Sequence, residues 1–295
     1  MSFNYLETLY TKIPELQESN IRIDDEFQDF ASLNKYLYII IDEWNRDYPL
    51  PILPNSIIVL EINCNYKFPL YNLQSSIEVL CIECEYNFPL ENLPINLYQL
   101  ELALNRLDFE AINKYPINLM HFIPESVKIL SLVDRINQSS YNLPIGLKSL
   151  EFSSDTFKNE IVVYPPELEQ LYLHNEFRNL AKVEKLKKQE QLEKYFNLIN
   201  LPLSIRVLHL PNLHISNFDS ILKRLIHLES LYIPNNCNQV ILEYPQNLVK
   251  LNFSGHYIYK LVNLPSSLKY IALGWYNNSL EAVANSNIEH IDLHP

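Results

Sequence analysis

Side chains able to do chemistry gather in three places in this sequence. Cys81-Ile82-Glu83-Cys84 has the spacing of a CxxC pair, and His290-Ile291-Asp292-Leu293-His294 sets three metal-capable groups on alternate positions. The third set is spread out: Tyr172, His174, His209, Tyr232, Asn252 and Tyr270 recur at related intervals. A structural zinc site needs a second ligand pair beside a CxxC, and a redox CxxC needs a helix start after a strand; neither accompanies Cys81 and Cys84. A histidine pair with one aspartate on a single strand is a thin ligand set, so no metal site is expected there. Gly146, Gly255 and Gly274 are the only glycines, which excludes phosphate-cradling loops, dinucleotide fingerprints and a nucleophile elbow, and no HExxH is present. Without an acid, base and nucleophile constellation the expectation is a protein that is not an enzyme and carries no cofactor. A carbohydrate- or metal-dependent enzyme is the alternative from another class.

The tyrosine and histidine set points instead to recognition, because an aromatic ring with a polar tip offers large contact area and directional bonding. The competing reading is that tyrosine is frequent in this chain, 20 of 295 residues, and neighbouring rings only stack. Either way, something must hold these residues in line.

What holds them is a repeat. FPL-x-N-L occurs at Phe68 to Leu73 and again at Phe88 to Leu93. Following this echo in both directions gives aligned starts at Leu53, Leu73, Leu93, Ile123, Leu143, Tyr164, Leu201, Tyr244 and Leu264, most continuing with Pro, with weaker copies at Arg224 and Ala284. The shared phrase is L-P-x-x-L-x-x-L-x-L, as in LPNSIIVLEI (53 to 62), LPINLYQLEL (93 to 102) and LPLSIRVLHL (201 to 210). A unit this short cannot bury its own apolar face and must stack on its neighbours, so a fixed short period means a solenoid. The closing L-x-L is a strand that shows one face to a core, and the earlier leucine belongs to the bend that enters it. Proline stands in that bend, ahead of a ladder it could not join. The predicted fold is a leucine-rich-repeat solenoid, a β-rich right-handed arc with a parallel sheet on its concave face and mostly non-helical returns. A parallel β-helix is the alternative, and it would show three flat apolar sides per turn.

These residues resemble short leucine-rich repeats and are closest to the FNIP repeats, whose unit reads approximately LPxSLxxLxFxxxFNxPL. The resemblance spans about Leu53 to Leu293 and is strongest where Tyr66-Lys67-Phe68-Pro69-Leu70 and Tyr86-Asn87-Phe88-Pro89-Leu90 occupy the FNxPL part. It implies that Tyr66 and Tyr86 turn inward on the return limb while Pro-Leu steers the chain to the next strand. Tyr48-Pro49-Leu50 falls on the same register, which makes Leu33 to Ile52 a degenerate first unit with Asp42 at an inward position. Later units lose the motif, Tyr257 to Leu261 keeping only its ends. FNIP repeats are often preceded by an F-box, which gives a further alternative, a ubiquitin-ligase-type adaptor with a divergent F-box-like segment in residues 1 to 50. Trp44 fits that reading; the missing LPxE start and Val-Cys-Trp ending do not.

The organisation expected is an N-terminal helical cap over 1–32 and a solenoid of 11 to 12 units over 33–295, with insertions near 107–117 and a helix near 179–199. That helix is locally basic, carrying Lys182, Lys185, Lys187 and Lys188, and is a secondary candidate for partner binding. With 47% apolar residues the chain can build a sizeable core, and 23 basic against 35 acidic residues give a net charge of −12. That field repels nucleic acid and anionic membranes, and no apolar run reaches spanning length. Four cysteines suit a reducing compartment, so an intracellular, cytoplasmic location is expected. The partner expected is a protein, bound on the concave face by Tyr172, His174, His209, Tyr232, Asn252 and Tyr270. The sequence leaves the oligomeric state open.

Overall fold

The structure is a computed structural model of the chain. It describes residues 9, 11–71, 73–83, 86, 88, 90, 92–103, 123–133, 143–153, 163–174, 198–210, 215, 218–233, 240–253, 257, 259–274, 283 and 287–293. The chain divides into two compact units, Met1–Asn159 and Glu160–Pro295. The first unit carries seven strands: β1 (Asn20–Ile23), β2 (Tyr38–Ile41), β3 (Val59–Ile62), β4 (Val79–Ile82), β5 (Gln99–Ala103), β6 (Ile129–Val133) and β7 (Ser149–Ser153). Each pairs in parallel with the next in chain order. The second carries β8 (Gln170–His174), β9 (Val207–His209), β10 (Ser230–Ile233), β11 (Lys250–Phe253), β12 (Tyr270–Leu273) and β13 (His290–Leu293), again parallel and in series. One strand per repeat, laddered to the strand before and after it, is a solenoid of the leucine-rich kind and not a three-sided β-helix.

The repeat phrase explains this local structure. The carbonyl of Pro54 accepts the N–H of Ile57 at 3.2 Å, and Pro94, Pro124 and Pro144 do the same for Leu97, Val127 and Leu147. Proline thus opens a four-residue turn at a place where its missing N–H is not needed. Gln74 makes the same turn to Ile77, so the geometry does not depend on the ring. In some units the residue two after proline also links repeats: Ser204 Oγ lies 2.9 and 2.7 Å from the carbonyls of Pro166 and Leu168, and Asn96 Nδ2 donates to Ser75 at 3.0 Å, whereas the hydroxyls of Ser56 and Ser126 at the same position are buried without such a bond. Leucines of the bend and strand then stack in the core, with Ile57, Leu60, Ile77, Leu80, Leu97, Leu100, Leu130, Leu147 and Leu150 fully buried.

The FPL echo also has a physical cause. Tyr86 is buried, and its hydroxyl accepts the backbone N–H of Leu70 at 3.0 Å; Tyr66 does the same for Leu50 at 2.7 Å. The return limb carries backbone donors with no strand partner, and a tyrosine from the following unit satisfies them. Tyr257 repeats the device on the N–H of Ile241 at 3.2 Å, although little of the motif survives around it. Each tyrosine packs against the aromatic two residues later, Tyr66 edge-on to Phe68 at 5.8 Å, Tyr257 edge-on to Tyr259 at 5.8 Å and Tyr86 tilted on Phe88 at 5.7 Å.

One feature differs from the sequence-based expectation near the N-terminus. β2 pairs Ile39 with Leu60 and Ile41 with Ile62, so the inward residues are Ile39 and Ile41 and not Asp42. This unit is one residue longer than the twenty-residue period, and Asp42 stands past the strand, bridged to Arg22 at 2.6 Å. Of segment 1–32, expected as a helical cap, the described residues are helical at 9, 11 and 12 and over α1 (Glu15–Glu18), and they also contribute the strand β1 to the ladder. Trp44 is buried against Phe30, Tyr48 and Tyr66, with its indole N–H donated to the carbonyl of Tyr48 at 2.8 Å, so its place is in the core. In the second unit the return before β10 holds a short helix, α2 (Phe218–Arg224), which buries Phe218, Ile221 and Leu222. The insertion near 107–117 lies outside the described residues, as does the expected helix near 179–199 except for a 3₁₀ turn at Leu198–Asn200.

A second apolar cluster lies on the strand face turned away from the leucine core. It joins Tyr38, Ile40, Val59, Val79, Cys81 and Ile129 to Leu9 and Leu16 of the N-terminal segment, with Ile13, Leu37, Ile58 and Tyr98 packed around it.

Two substitutions test this account. Leu150→Ala removes a fully buried strand leucine and should cost about 2 to 5 kcal/mol in chemical denaturation. Tyr86→Phe keeps the ring but strands the buried N–H of Leu70, and a loss of about 1 to 3 kcal/mol is expected. An unchanged midpoint in the second case would show that the hydroxyl tether contributes nothing.

Candidate functional site

On the face away from the core the mid-strand residues form one column in each unit. In the first unit the register runs Ile40, Glu61, Cys81, Glu101, Ser131, Glu151. Its carboxylates are held by neighbours: Tyr38 Oη donates to Glu61, Gln99 Nε2 to Glu101, and Ser131 Oγ to Glu151 at 2.9 Å. Burial raises the Glu101 carboxyl above the ordinary range, against the lowering effect of Gln99, and the charge of Glu151 adds to the rise. Burial likewise drives the Cys81 thiol well above its usual value, with Glu101, Glu61 and Glu83 adding their negative charge. A reactive cysteine needs the opposite shift, so Cys81 is a buried, protonated thiol. Its CxxC partner Cys84 lies outside the described residues, and Cys64 is partly exposed. Among the described residues no group of three His, Cys, Asp or Glu could hold a metal ion.

In the second unit the column runs Tyr172, His209, Tyr232, Asn252, Ala272, Asp292. Four of the expected site residues, Tyr172, His209, Tyr232 and Asn252, meet there. The rings of Tyr172 and His209 are 4.6 Å apart and tilted by 56°, while His209 and Tyr232 stack at 4.7 Å and 10°. These spacings match the distance of about 4.8 Å between neighbouring strands, so the ladder itself sets the ring stack. His209, Tyr232 and Asn252 are half-buried, whereas Tyr172 is only 3% exposed and donates its hydroxyl to Gln170 Oε1 at 3.1 Å. Tyr270 stands in the flanking column two strands further on, with its hydroxyl donated to Asp292 at 3.2 Å. Burial and that carboxylate raise the Tyr270 phenol. Ala272 is fully buried and breaks the run of polar residues between Asn252 and Asp292. His174 ends β8, and its side chain lies outside the described residues, as do Lys182, Lys185, Lys187 and Lys188. Gln170 and Asp292 accept the hydroxyls of Tyr172 and Tyr270. Both were visible in the sequence, one two residues before a site tyrosine and the other at the aligned mid-strand position.

With this geometry in place, comparison with solved structures is informative. The chain superposes on CroV588, described as a novel circular LRR protein, with a TM-score of 0.53 and 26% identity over 82% of this chain. The fold is a leucine-rich-repeat solenoid. The match covers 37% of the CroV588 chain, so this chain spans well under half of that protein's length. YopM from Yersinia enterocolitica WA-314 also aligns, at a TM-score of 0.34 and 16% identity, over 92% of this chain and 76% of that one. No protein-family model matches the sequence, and neither does a curated protein. No helix among the described residues is long and apolar enough to cross a membrane.

The raised carboxyl of Glu101 gives a pH test. The folded state binds more protons than the unfolded chain between the ordinary carboxylate range and the raised one, so stability falls as pH rises through that window. Glu101→Gln keeps an acceptor for Gln99 and removes the charge. The variant should melt above the parent at neutral pH, and the two curves should converge in acid. A lower melting point at neutral pH would mean that the ionised carboxylate stabilises the column.

Proposed function

We propose that this chain is a non-catalytic recognition module that binds another protein through the strand faces turned away from the leucine core, with His209, Tyr232 and Asn252 at the centre of the contact. The observation that carries this reading is the ring stack of the second unit. His209 and Tyr232 are held parallel on neighbouring strands, half-exposed, and contribute little to the leucine core beneath them. Rigid aromatic surface with a polar tip loses little side-chain freedom on binding, which is why such residues dominate contact energies between proteins. The chemistry found elsewhere agrees with a binding role. Cys81 is protonated, and the described carboxylates of the first column are tied to neighbours. We read the repeat as FNIP-like, supported by the tyrosine tethers at Tyr66, Tyr86 and Tyr257.

Burial separates the site residues into two kinds. Tyr172→Ala should lower stability by about 3 to 5 kcal/mol because the ring is enclosed. His209→Ala with Tyr232→Ala should unfold near the parent midpoint and lose binding by about 2 kcal/mol or more per ring if both lie in a hot spot. Affinity capture from the native cell with parent and double variant, read by mass spectrometry, checks this. A partner retained at equal yield by the double variant places the contact elsewhere.

A further inference from the structure

The first unit holds a second surface, and the chain itself occupies it. In the column that flanks Glu61 and Glu101, Tyr38, Val59, Val79, Gln99 and Ile129 follow one another across β2 to β6. These residues point away from the core leucines, because side chains alternate along a strand. Large apolar groups on that face need a cover. Leu9 and Leu16, 2% and 0% exposed, lie in the same cluster as Tyr38, Ile40, Val59, Val79, Cys81 and Ile129, and Ile13 packs against it. Leu9, Ile13 and Leu16 stand at i, i+4 and i+7, the spacing of one face of an amphipathic helix. The segment is helical before and after a break at Ile13 and Pro14, with backbone bonds from Ile13 N to Leu9 O at 2.7 Å, Leu16 N to Ile13 O at 3.0 Å and Ser19 N to Glu15 O at 2.8 Å. The strand amides beneath it are already paired in the ladder. A helix laid into an apolar groove by three aliphatic anchors is a recurring mode of peptide recognition.

We propose that the apolar column on β2 to β6 is a binding site for an amphipathic helix, held closed in cis by residues 9–16. The partner it fits is a helical segment with large aliphatic side chains at i, i+4 and i+7. Basic residues along the edge of that stripe would suit Glu61 and Glu101, which border the column at the next strand position. Entry requires the cis segment to leave, so the occupied and open states compete for the same surface. This site is separate from the ring stack of the second unit and stands or falls independently of it.

Cys81 reports on the cover, since it is 7% exposed and belongs to the cluster that Leu9 and Leu16 complete. The full-length protein is labelled with an uncharged maleimide, and the rate at Cys81 is followed by peptide-resolved mass spectrometry across low denaturant concentrations. Local release of the segment predicts a rate that barely changes with denaturant; a rate that tracks global unfolding overturns the proposal. The variant Leu9→Asp with Leu16→Asp, checked for a cooperative melt, should label at Cys81 on the order of tenfold faster or more. A synthetic peptide of residues 1 to 19 added in trans should restore protection, and the same peptide with Leu9, Ile13 and Leu16 changed to Asp should not. Failure of the first peptide, or equal protection by the second, overturns the assignment. Should the double variant fail to fold, the denaturant dependence of the parent decides alone. Protection in the parent that grows with protein concentration would place another copy's segment on the face and overturn closure in cis.

Discussion

The parallel ladder is the constraint on which every other feature of this protein rests. A single repeat offers one strand of three to five residues, whose amides and carbonyls have no partner within the repeat and whose leucines face nothing. Both deficits are met only by the units before and after. The recurring residues of the repeat are therefore devices for joining neighbours: the proline turn that aims the strand, the Ser204 or Asn96 side chain that reaches back to a carbonyl, and the tyrosine hydroxyl that takes the N–H of the preceding return. Tyr86 shows the economy of the last device, filling the core with its ring and closing an orphan donor with its hydroxyl.

A sheet built this way has a second face with different obligations. In the core the side chains must be leucine-like, since the packing leaves no room for choice. On the opposite face the mid-strand column is set only by strand spacing, and the residues there settle their own chemistry with neighbours about 4.8 Å away. The first unit fills that column with carboxylates and pairs them to Tyr38, Gln99 and Ser131, which allows acidic groups to sit beside the buried thiol of Cys81. The second unit fills it with rings, and the ladder stacks them. The two columns thus offer different surfaces on one scaffold, with the first covered by the chain's own Leu9 and Leu16 and the second left half-open at His209 and Tyr232.

The division between what sequence determined by itself and what tertiary structure decided follows from the range of the interactions. Register was legible because it is periodic. The leucines at 60, 80, 100, 130 and 150, the proline turns, and the column from Glu61 to Glu151 could be aligned by spacing alone, and the ladder pairs them that way. The echo at Phe68 and Phe88 marked the return limb, although the tether that causes it needs the geometry of two units to be seen. Where the period slips, reading fails: the unit before β3 is one residue longer, so Ile41 and not Asp42 points inward, and β1 carries too little of the phrase to be aligned. Cover over the off-core face was also out of reach. Alternation says which face a residue takes but not what lies on top of it, so Tyr172, expected on the open concave face, is buried, as is Cys81. Leu9, Ile13 and Leu16 were three apolar residues in a segment outside the repeat until the fold brought them onto Val59 and Val79, because contacts between distant parts of a chain obey no spacing rule that a sequence displays.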